Sequence, residues 1–217
     1  MLAEASRAVK CPSIGAHLAG CKKVQQVLGS APGVLERFLP PSTYPGQAQA
    51  VRDCFVGLWP LDAAGVSGDP RAAAAVAAAA AHPERYVMKP QREGGGNNVY
   101  GGALAAALCG GLTPEQRAAY ILMERVFPAP APTWFVRAGS GGGGGGGGVA
   151  ALPAVSELGV YSVWLSDGGS DAGGGARAPP LLNAPAGHLL RTKVDGTDEG
   201  GVAAGFAVLD SPLLTDE

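Results

Sequence analysis

The chain has 217 residues, enough for one sizeable core and a small second lobe, and 47% of them are hydrophobic, with alanine supplying much of that share. The formal net charge is -2 and no block of basic residues is present, which argues against a nucleic-acid partner. The alanine-rich residues 72–81 are too few to span a bilayer, and the amino terminus lacks the apolar core of a signal peptide. We therefore expect no membrane partner and no export.

The first part of the chain is predicted to be mainly helical. Apolar residues recur at helical spacing between residues 2 and 61, separated by breaks that contain glycine and proline. Residues 65–70 are typical of a turn-rich linker, and residues 71–81 predict an alanine-rich helix. We expect residues 1–70 to form one mainly helical segment.

The character of the sequence changes at Tyr86. Residues 86–88 predict a short strand, residues 89–98 a glycine-containing loop and residues 99–108 a helix. Thr113 is expected to cap a helical turn that begins at Pro114. These elements predict a strand, a loop and a helix in succession.

The remaining sequence predicts strands separated by low-complexity stretches. The strands are expected at residues 120–126, 133–137, 154–158, 160–165 and 189–193. Residues 141–148 are an unbroken glycine run, and residues 167–175 are rich in glycine, serine and aspartate. Both stretches are expected to be surface loops.

The loop after the first predicted strand carries residues suited to a nucleotide. Glycines at 94–96 can turn their N–H groups toward an anion, and Lys89 can add a positive charge at the same phosphate. Glu93 precedes these glycines and can ligate Mg²⁺, a hard cation that prefers oxygen ligands. The loop has neither GxGxxG nor P-loop spacing, so a simple turn with a solvated glutamate is the alternative.

A second group of charges lies on the last predicted strand. Arg191 and Lys193 are two residues apart, so they share one face of that strand. An arginine can hold a carboxylate through two hydrogen bonds, and a lysine can meet a phosphate as a point charge. A solvated polar face is the alternative. His188 is expected to pack or cap rather than to act as a base.

Seven blocks of the sequence match one protein family in order. They closely resemble the eukaryotic glutathione synthetases, and the longest block reads KPQREGGGNN at residues 89–98. The resemblance implies an α+β fold of the ATP-grasp type, with antiparallel sheets, flanking helices and no counterpart of the family's amino-terminal half. The blocks are residues 8–12, 22–26, 89–98 with Tyr100, 120–124, 156–159, 187–193 and 200–205.

The resemblance also implies a domain organisation. Residues 71–217 would form the ATP-grasp nucleotide-binding region, including a glycine-rich lid at residues 91–98 and an alanine-rich lid at residues 195–207. The chain would then be the carboxyl-terminal portion of the enzyme, and we expect it to be inactive by itself.

Site residues are implied wherever this sequence matches the family. Lys22 and Lys89 would hold ATP phosphates, Glu93 would also ligate Mg²⁺, and no residue would act as a covalent catalytic group. Substrate binding would fall to Arg191, Val202 and Ala203. The full set of expected ATP contacts is Lys22, Lys89, Pro90, Gln91, Arg92, Glu93, Gly94, Gly95, Gly96, Asn97, Asn98, Tyr100, Met123, Glu124, Arg125, Val126, Glu157, Lys193 and Glu199.

Two of these positions depart from the family. Glu199 stands where the family has an aspartate, and Arg125 stands where it has a lysine. Glutamate is one methylene longer than aspartate, and the resemblance implies that adenine is bound at the second position mainly by backbone atoms. Neither departure removes the expected function.

The resemblance implies ATP-dependent ligation of γ-glutamylcysteine and glycine through an acyl phosphate. The implied partners are these small molecules with Mg²⁺ as cofactor, and a second copy of the chain in a homodimer. The expected location is the cytoplasm, with the plastid as the alternative. A noncatalytic nucleotide-binding remnant of the enzyme is the alternative function.

Overall fold

The computed structural model describes residues 2–91, 96–137, 148–166, 180–212 and 214. Contacts divide the chain into two units, Met1–Phe127 and Pro128–Glu217. The boundary expected at residue 70 lies inside the first unit, and it stays a prediction. The low-complexity stretch at 167–175, and all of the glycine run except Gly148, lie outside the described residues.

Short helices open the first unit, as predicted. Left-handed glycines precede two of them, Gly33 with φ 75° and Gly46 with φ 76°, and Gly33 ends a predicted break between apolar segments. The helices are α1 (Leu2–Ala5), α2 (Ile14–Ala19), α3 (Lys22–Ser30), α4 (Val34–Phe38) and α5 (Gln47–Asp53).

The linker prediction at residues 65–70 is wrong. After strand β1 (Leu58–Pro60) the chain forms helix α6 (Ala63–Gly68), because the Asp62 carboxylate accepts a hydrogen bond from Gly65 N at 2.7 Å and caps the helix. The predicted alanine-rich helix is confirmed as α7 (Pro70–Ala81). Its proline occupies the first turn, where no backbone donor is needed.

The first unit contains a three-stranded antiparallel sheet in the order β1-β3-β2. Strand β2 (Tyr86–Pro90) and β1 pair on opposite sides of β3 (Tyr120–Glu124), so that Trp59, Leu122 and Met88 lie side by side. One face packs on α7 and on α8 (Gly101–Ala106) around buried Leu104. Helix α3 packs against β1 and β3.

A widened turn (Ala107–Gly111) and helix α9 (Pro114–Arg117) connect α8 to β3. Gly110 adopts φ 110° in that turn, a backbone conformation that favours glycine. The predicted Thr113 cap is confirmed, because its side chain accepts from Gln116 N while the Gln116 side chain accepts from Thr113 N.

The second unit is a four-stranded antiparallel sheet in the order β4-β5-β6-β7. The break predicted at Gly159 is wrong, because Gly159 pairs with Leu189 and the ladder is interrupted only by an irregularity between Tyr161 and Ser162. At Gly159 an added Cβ would lie 3.1 Å from the Tyr161 ring, so the ring covers this part of the strand. The strands are β4 (Ala131–Arg137), β5 (Gly148–Leu165), β6 (Leu182–Val194) and β7 (Val208–Asp210), the last of which was not predicted.

Candidate functional site

The glycine-rich segment at residues 91–98 is closed at its base by two backbone hydrogen bonds. Met88 and Val99 exchange both N–H···O bonds at 3.0 Å, so the chain leaves β2 and returns beside it. Gly96 has φ 87° near the returning end, which a side chain would disfavour. Arg92, Glu93, Gly94 and Gly95 lie outside the described residues.

Lys89 lies on the face of the sheet opposite the one packed on α7 and α8. Side chains alternate along a strand, and the neighbouring Met88 and Pro90 are buried on the other face. The strand partner of Lys89 is Ile121, and α3, which packs against that strand, begins at Lys22. Two of the expected phosphate-binding lysines therefore belong to one side of the sheet.

The first residue after β2 is tied to α3. The Gln91 side-chain oxygen accepts a hydrogen bond from Lys23 N at 2.8 Å, and Gln91 N donates to Ala119 O at 3.2 Å. The Gln91 amide nitrogen is buried and has no hydrogen-bond partner among the described residues. The base of the segment is thus fixed to two elements at once.

The expected adenine-binding segment follows the end of β3. Glu124 N donates to Gly57 O at 2.9 Å and Arg125 N donates to Arg85 O at 2.9 Å, so this backbone is held from both sides. Met123 pairs with Leu58 and Val87 within the sheet, and Val126 is exposed.

Arg125 links this segment to the returning end of the glycine loop. Its guanidinium lies 5.3 Å from the centre of the Tyr100 ring and 5.2 Å from that of Phe127. The Tyr100 hydroxyl accepts a hydrogen bond from the Asn98 side chain at 3.2 Å, while Asn97 is exposed. The structure brings the loop end and the β3 end together through one stacked arginine.

The second unit brings Glu157 and Arg191 together. They are direct partners on β5 and β6 and form an ion pair. Lys193 lies on the same face by strand alternation, and its ammonium donates to Thr197 O and to Asp198 O. The cations of β6 thus contact the carboxylate of β5 and the segment that follows β6.

The alanine-rich segment is short and folded back on itself. Gly205 N donates to Val202 O at 2.9 Å, and Phe206 N donates to Gly201 O at 3.0 Å. Glu199 precedes this turn and is partly exposed, and Ala203 is exposed on it. These backbone bonds give the expected substrate-contacting residues a defined turn.

Comparisons with known proteins identify the family. The family model for the eukaryotic glutathione synthase ATP-binding domain matches residues 1–214. The chain belongs to the eukaryotic glutathione synthase family. This membership, with the two antiparallel sheets and their flanking helices, confirms the predicted fold class.

Relatives and a solved structure agree with this membership. The chain is 46% identical to chloroplastic glutathione synthetase of Solanum lycopersicum over 165 residues, which cover 76% of this chain and 27% of that protein. It is 44% identical to human glutathione synthetase over 168 residues, covering 76% of this chain and 32% of that protein. The structure of a glutathione synthetase-like effector from Globodera pallida superposes with a TM-score of 0.64 at 24% identity, covering 98% of this chain and 38% of that one. The chain spans about a third of the length of these relatives.

A chain of hydrogen bonds behind Arg191 and Lys193 has no signal in the sequence. Thr192 is fully buried, its hydroxyl lies 2.8 Å from that of Ser156 and donates to the Asp210 carboxylate at 2.8 Å. Because the Thr192 hydroxyl has one proton, Ser156 must be the donor in the other bond. Strand alternation puts Thr192 on the face opposite Arg191 and Lys193, but only the pairing of β6 with β7 brings Asp210 next to it.

One described carboxyl group near the candidate site has a shifted pKa. A hydrogen bond from the Lys23 ammonium, 2.8 Å from Asp62 Oδ2, lowers the pKa of the Asp62 carboxyl below its usual value. Burial opposes the shift, and the hydrogen bond from Gly65 N adds to it. Asp62 therefore joins the first turn of α3 to the cap of α6 in its charged form.

No metal-binding cluster occurs in the described part of the chain, where no three His, Cys, Asp or Glu side chains are grouped suitably. An open cavity of about 840 Å³ lies in the first unit beside Phe55, Trp59 and Tyr86, and none of the expected site residues lines it. None of the helices in the described ranges is long and apolar enough to cross a membrane.

Proposed function

We propose that this chain is the ATP-binding part of a glutathione synthetase. ATP would phosphorylate the free carboxylate of γ-glutamylcysteine, and the glycine amine would attack the resulting acyl phosphate and release inorganic phosphate. The observation that carries the proposal is the Met88–Val99 bridge, which closes a glycine-rich segment at the end of the strand that bears Lys89. Family membership supplies the reaction class.

The phosphate chemistry is assigned to the first unit. Lys89 and Lys22 would offset phosphate charge, and the N–H groups of the glycine-rich segment would donate to phosphate oxygens. The backbone at residues 123–126 would bind adenine. Each of these groups acts by position and charge, so no covalent enzyme intermediate is required.

The carboxylate substrate is assigned to the second unit. Arg191 is partly exposed and its ion-pair partner Glu157 is 66% exposed, so the pair is weak and a substrate carboxylate can compete for the guanidinium. Lys193 uses two of its three N–H donors on Thr197 and Asp198. The remaining donor is suited to a phosphate oxygen.

Mg²⁺ is the ion proposed to accompany ATP, with Glu93 as a ligand. Mg²⁺ supplies charge neutralisation at the phosphates when it is bound. The described residues contain no acidic cluster for it, so the roles assigned above rest on the lysines, the arginine and backbone donors.

Replacing Lys89 with methionine tests the proposal. Calorimetric titration of the 217-residue chain with ATP and Mg²⁺ should show binding, and Lys89→Met should weaken it at least about tenfold, because a charge-assisted hydrogen bond is lost. Lys10→Met is the matched control, since Lys10 lies between α1 and α2 and bonds only to Ser6 O among the described residues. Equal ATP affinity in wild type and Lys89→Met would contradict the assignment.

The same preparation separates a ligase from a noncatalytic nucleotide-binding protein. Release of ADP that requires both γ-glutamylcysteine and glycine would support the ligase. Binding of ATP without that release would support the noncatalytic alternative for this chain.

A further inference from the structure

Helix α3 begins without a capping side chain of its own. Its N-cap residue is Cys21, with φ -63° and ψ 146°, and the Cys21 side chain makes no capping hydrogen bond. The first N–H groups of a helix have no acceptor within the helix, and Ser, Thr, Asn or Asp usually supplies one. The start of α3 therefore needs an acceptor from elsewhere in the chain.

Gln91 supplies that acceptor from 68 residues away. Its side-chain oxygen accepts from Lys23 N at 2.8 Å, and Lys23 is the second residue of α3. Gln91 is itself held, because its N donates to Ala119 O at 3.2 Å next to the β2–β3 ladder. The contact thus transmits the position of the loop base to the first turn of α3.

We propose that Gln91, one of the expected ATP contacts, is instead a positioning residue. It caps α3 and thereby places Lys22, and it acts through the helix rather than by touching the nucleotide. Lys22 is the first residue of α3 and precedes the capped Lys23 directly. Only the role of Lys22 toward phosphate rests on the proposed function.

The experiment compares Gln91→Met with wild type by two measurements. Methionine keeps the side-chain length and removes the acceptor. Amide hydrogen exchange should become about tenfold faster at Lys23, in line with the free energy of a helix cap. ATP affinity should fall about three- to tenfold as Lys22 loses its position. Gln49→Met, at an exposed position in α5, should change neither measurement.

A local cap added to the same variant distinguishes a role of Gln91 in capping α3 from a direct contact of Gln91 with the nucleotide. Cys21 already has the backbone conformation of an N-cap, so Cys21→Ser should provide an acceptor for the first turn of α3. In the double variant Cys21→Ser with Gln91→Met, we expect both Lys23 protection and ATP affinity to recover. Recovered protection with weak ATP binding would overturn the proposal, because Gln91 would then act on the nucleotide itself.

The exchange measurement at Lys23 does not depend on the proposed function. Unchanged Lys23 exchange in Gln91→Met would overturn the cap whatever the chain binds. If wild type binds no ATP, the proposed function fails. Lys23 exchange then still tests the cap. The placement of Lys22 is tested by the chemical shift of the Lys22 amide, which should move in Gln91→Met and return to its wild-type value in the double variant.

Discussion

The β-sheets of the two units are stabilised by different kinds of contact. In the first, Met88, Leu122 and Ile121 are fully buried, because helices pack on both faces of three short strands. In the second, long strands leave large side chains such as Trp134 and Val160 more than 70% exposed. In that unit, the fully buried residue of β6 is Thr192, whose side chain carries a hydroxyl group.

This difference predicts where each unit is sensitive to substitution. Removing buried apolar volume should be costly in the first unit, since apolar burial holds its strands together. Removing a hydrogen-bonding group should matter more in the second, where side chains join neighbouring strands through polar contacts. The expected site residues lie on both kinds of scaffold.

The largest effect is expected from Leu122→Ala. Leu122 is fully buried on the central strand β3, so the substitution leaves a cavity and should lower the free energy of unfolding by about 3 kcal/mol. Leu158→Ala in β5 is the matched control, and because Leu158 is 54% exposed its cost should stay below about 1 kcal/mol. Urea unfolding followed by circular dichroism measures both. Equal costs would break the contrast between the units.

A smaller loss is expected from Thr192→Val. Valine has the shape of threonine without its hydroxyl, so the bonds to Ser156 and Asp210 are lost while packing is kept. Asp210 is exposed and can return to water, which limits the cost to about 1–2 kcal/mol. Thr133→Val in β4 is the control. If Thr192→Val unfolds in urea like wild type, polar contacts do not secure this sheet.

Local signals explain which parts of the fold could be predicted. The helix at Pro70–Ala81 and the Thr113 cap depend on neighbouring residues alone, and both predictions are confirmed. Strand β1 has three residues and becomes a strand only by pairing with β3, more than 60 residues later, and β7 depends on β6 in the same way. Pairing partners at such distances leave no local pattern.

The candidate site shows the same difference between residues with a local sequence signal and contacts between distant residues. Lys89 and the glycines were singled out by their local chemistry, and the resemblance of contiguous blocks to a family added Lys22. The Gln91 contact with Lys23 and the bond from Thr192 to Asp210 join residues that no motif connects. Such contacts become visible only when the folded chain brings the elements together.

A small, pH-dependent effect is expected from Asp62→Asn. The folded-state pKa of Asp62 is lowered, so its ion pair with Lys23 stabilises the fold above the unfolded-state pKa of about 3.9 and is lost as the pH falls through the lower folded value. Both side chains are at least a third exposed, so the contribution at pH 7 should be only about 0.5 kcal/mol. Asparagine can still cap α6.

Urea unfolding at pH 7 and at pH 3 tests this effect. The difference between Asp62→Asn and wild type should be present at pH 7 and shrink at pH 3. If the difference in the free energy of unfolding grows on acidification, the pKa of Asp62 in the folded chain is raised rather than lowered.

An equally small effect, but a stabilising one, is expected from shortening the glycine run. Arg137 and Gly148 are the last partners of the β4–β5 ladder, and ten residues connect them. Deleting residues 142–145 leaves both partners in place and reduces the entropy lost on closing the loop, which should stabilise the second unit by about 0.5 kcal/mol. The tryptophans of β4 and β5 report this unit in urea unfolding. A loss above about 1 kcal/mol would mean that the run contributes contacts, and the second unit would then depend on more than the pairing of its strands.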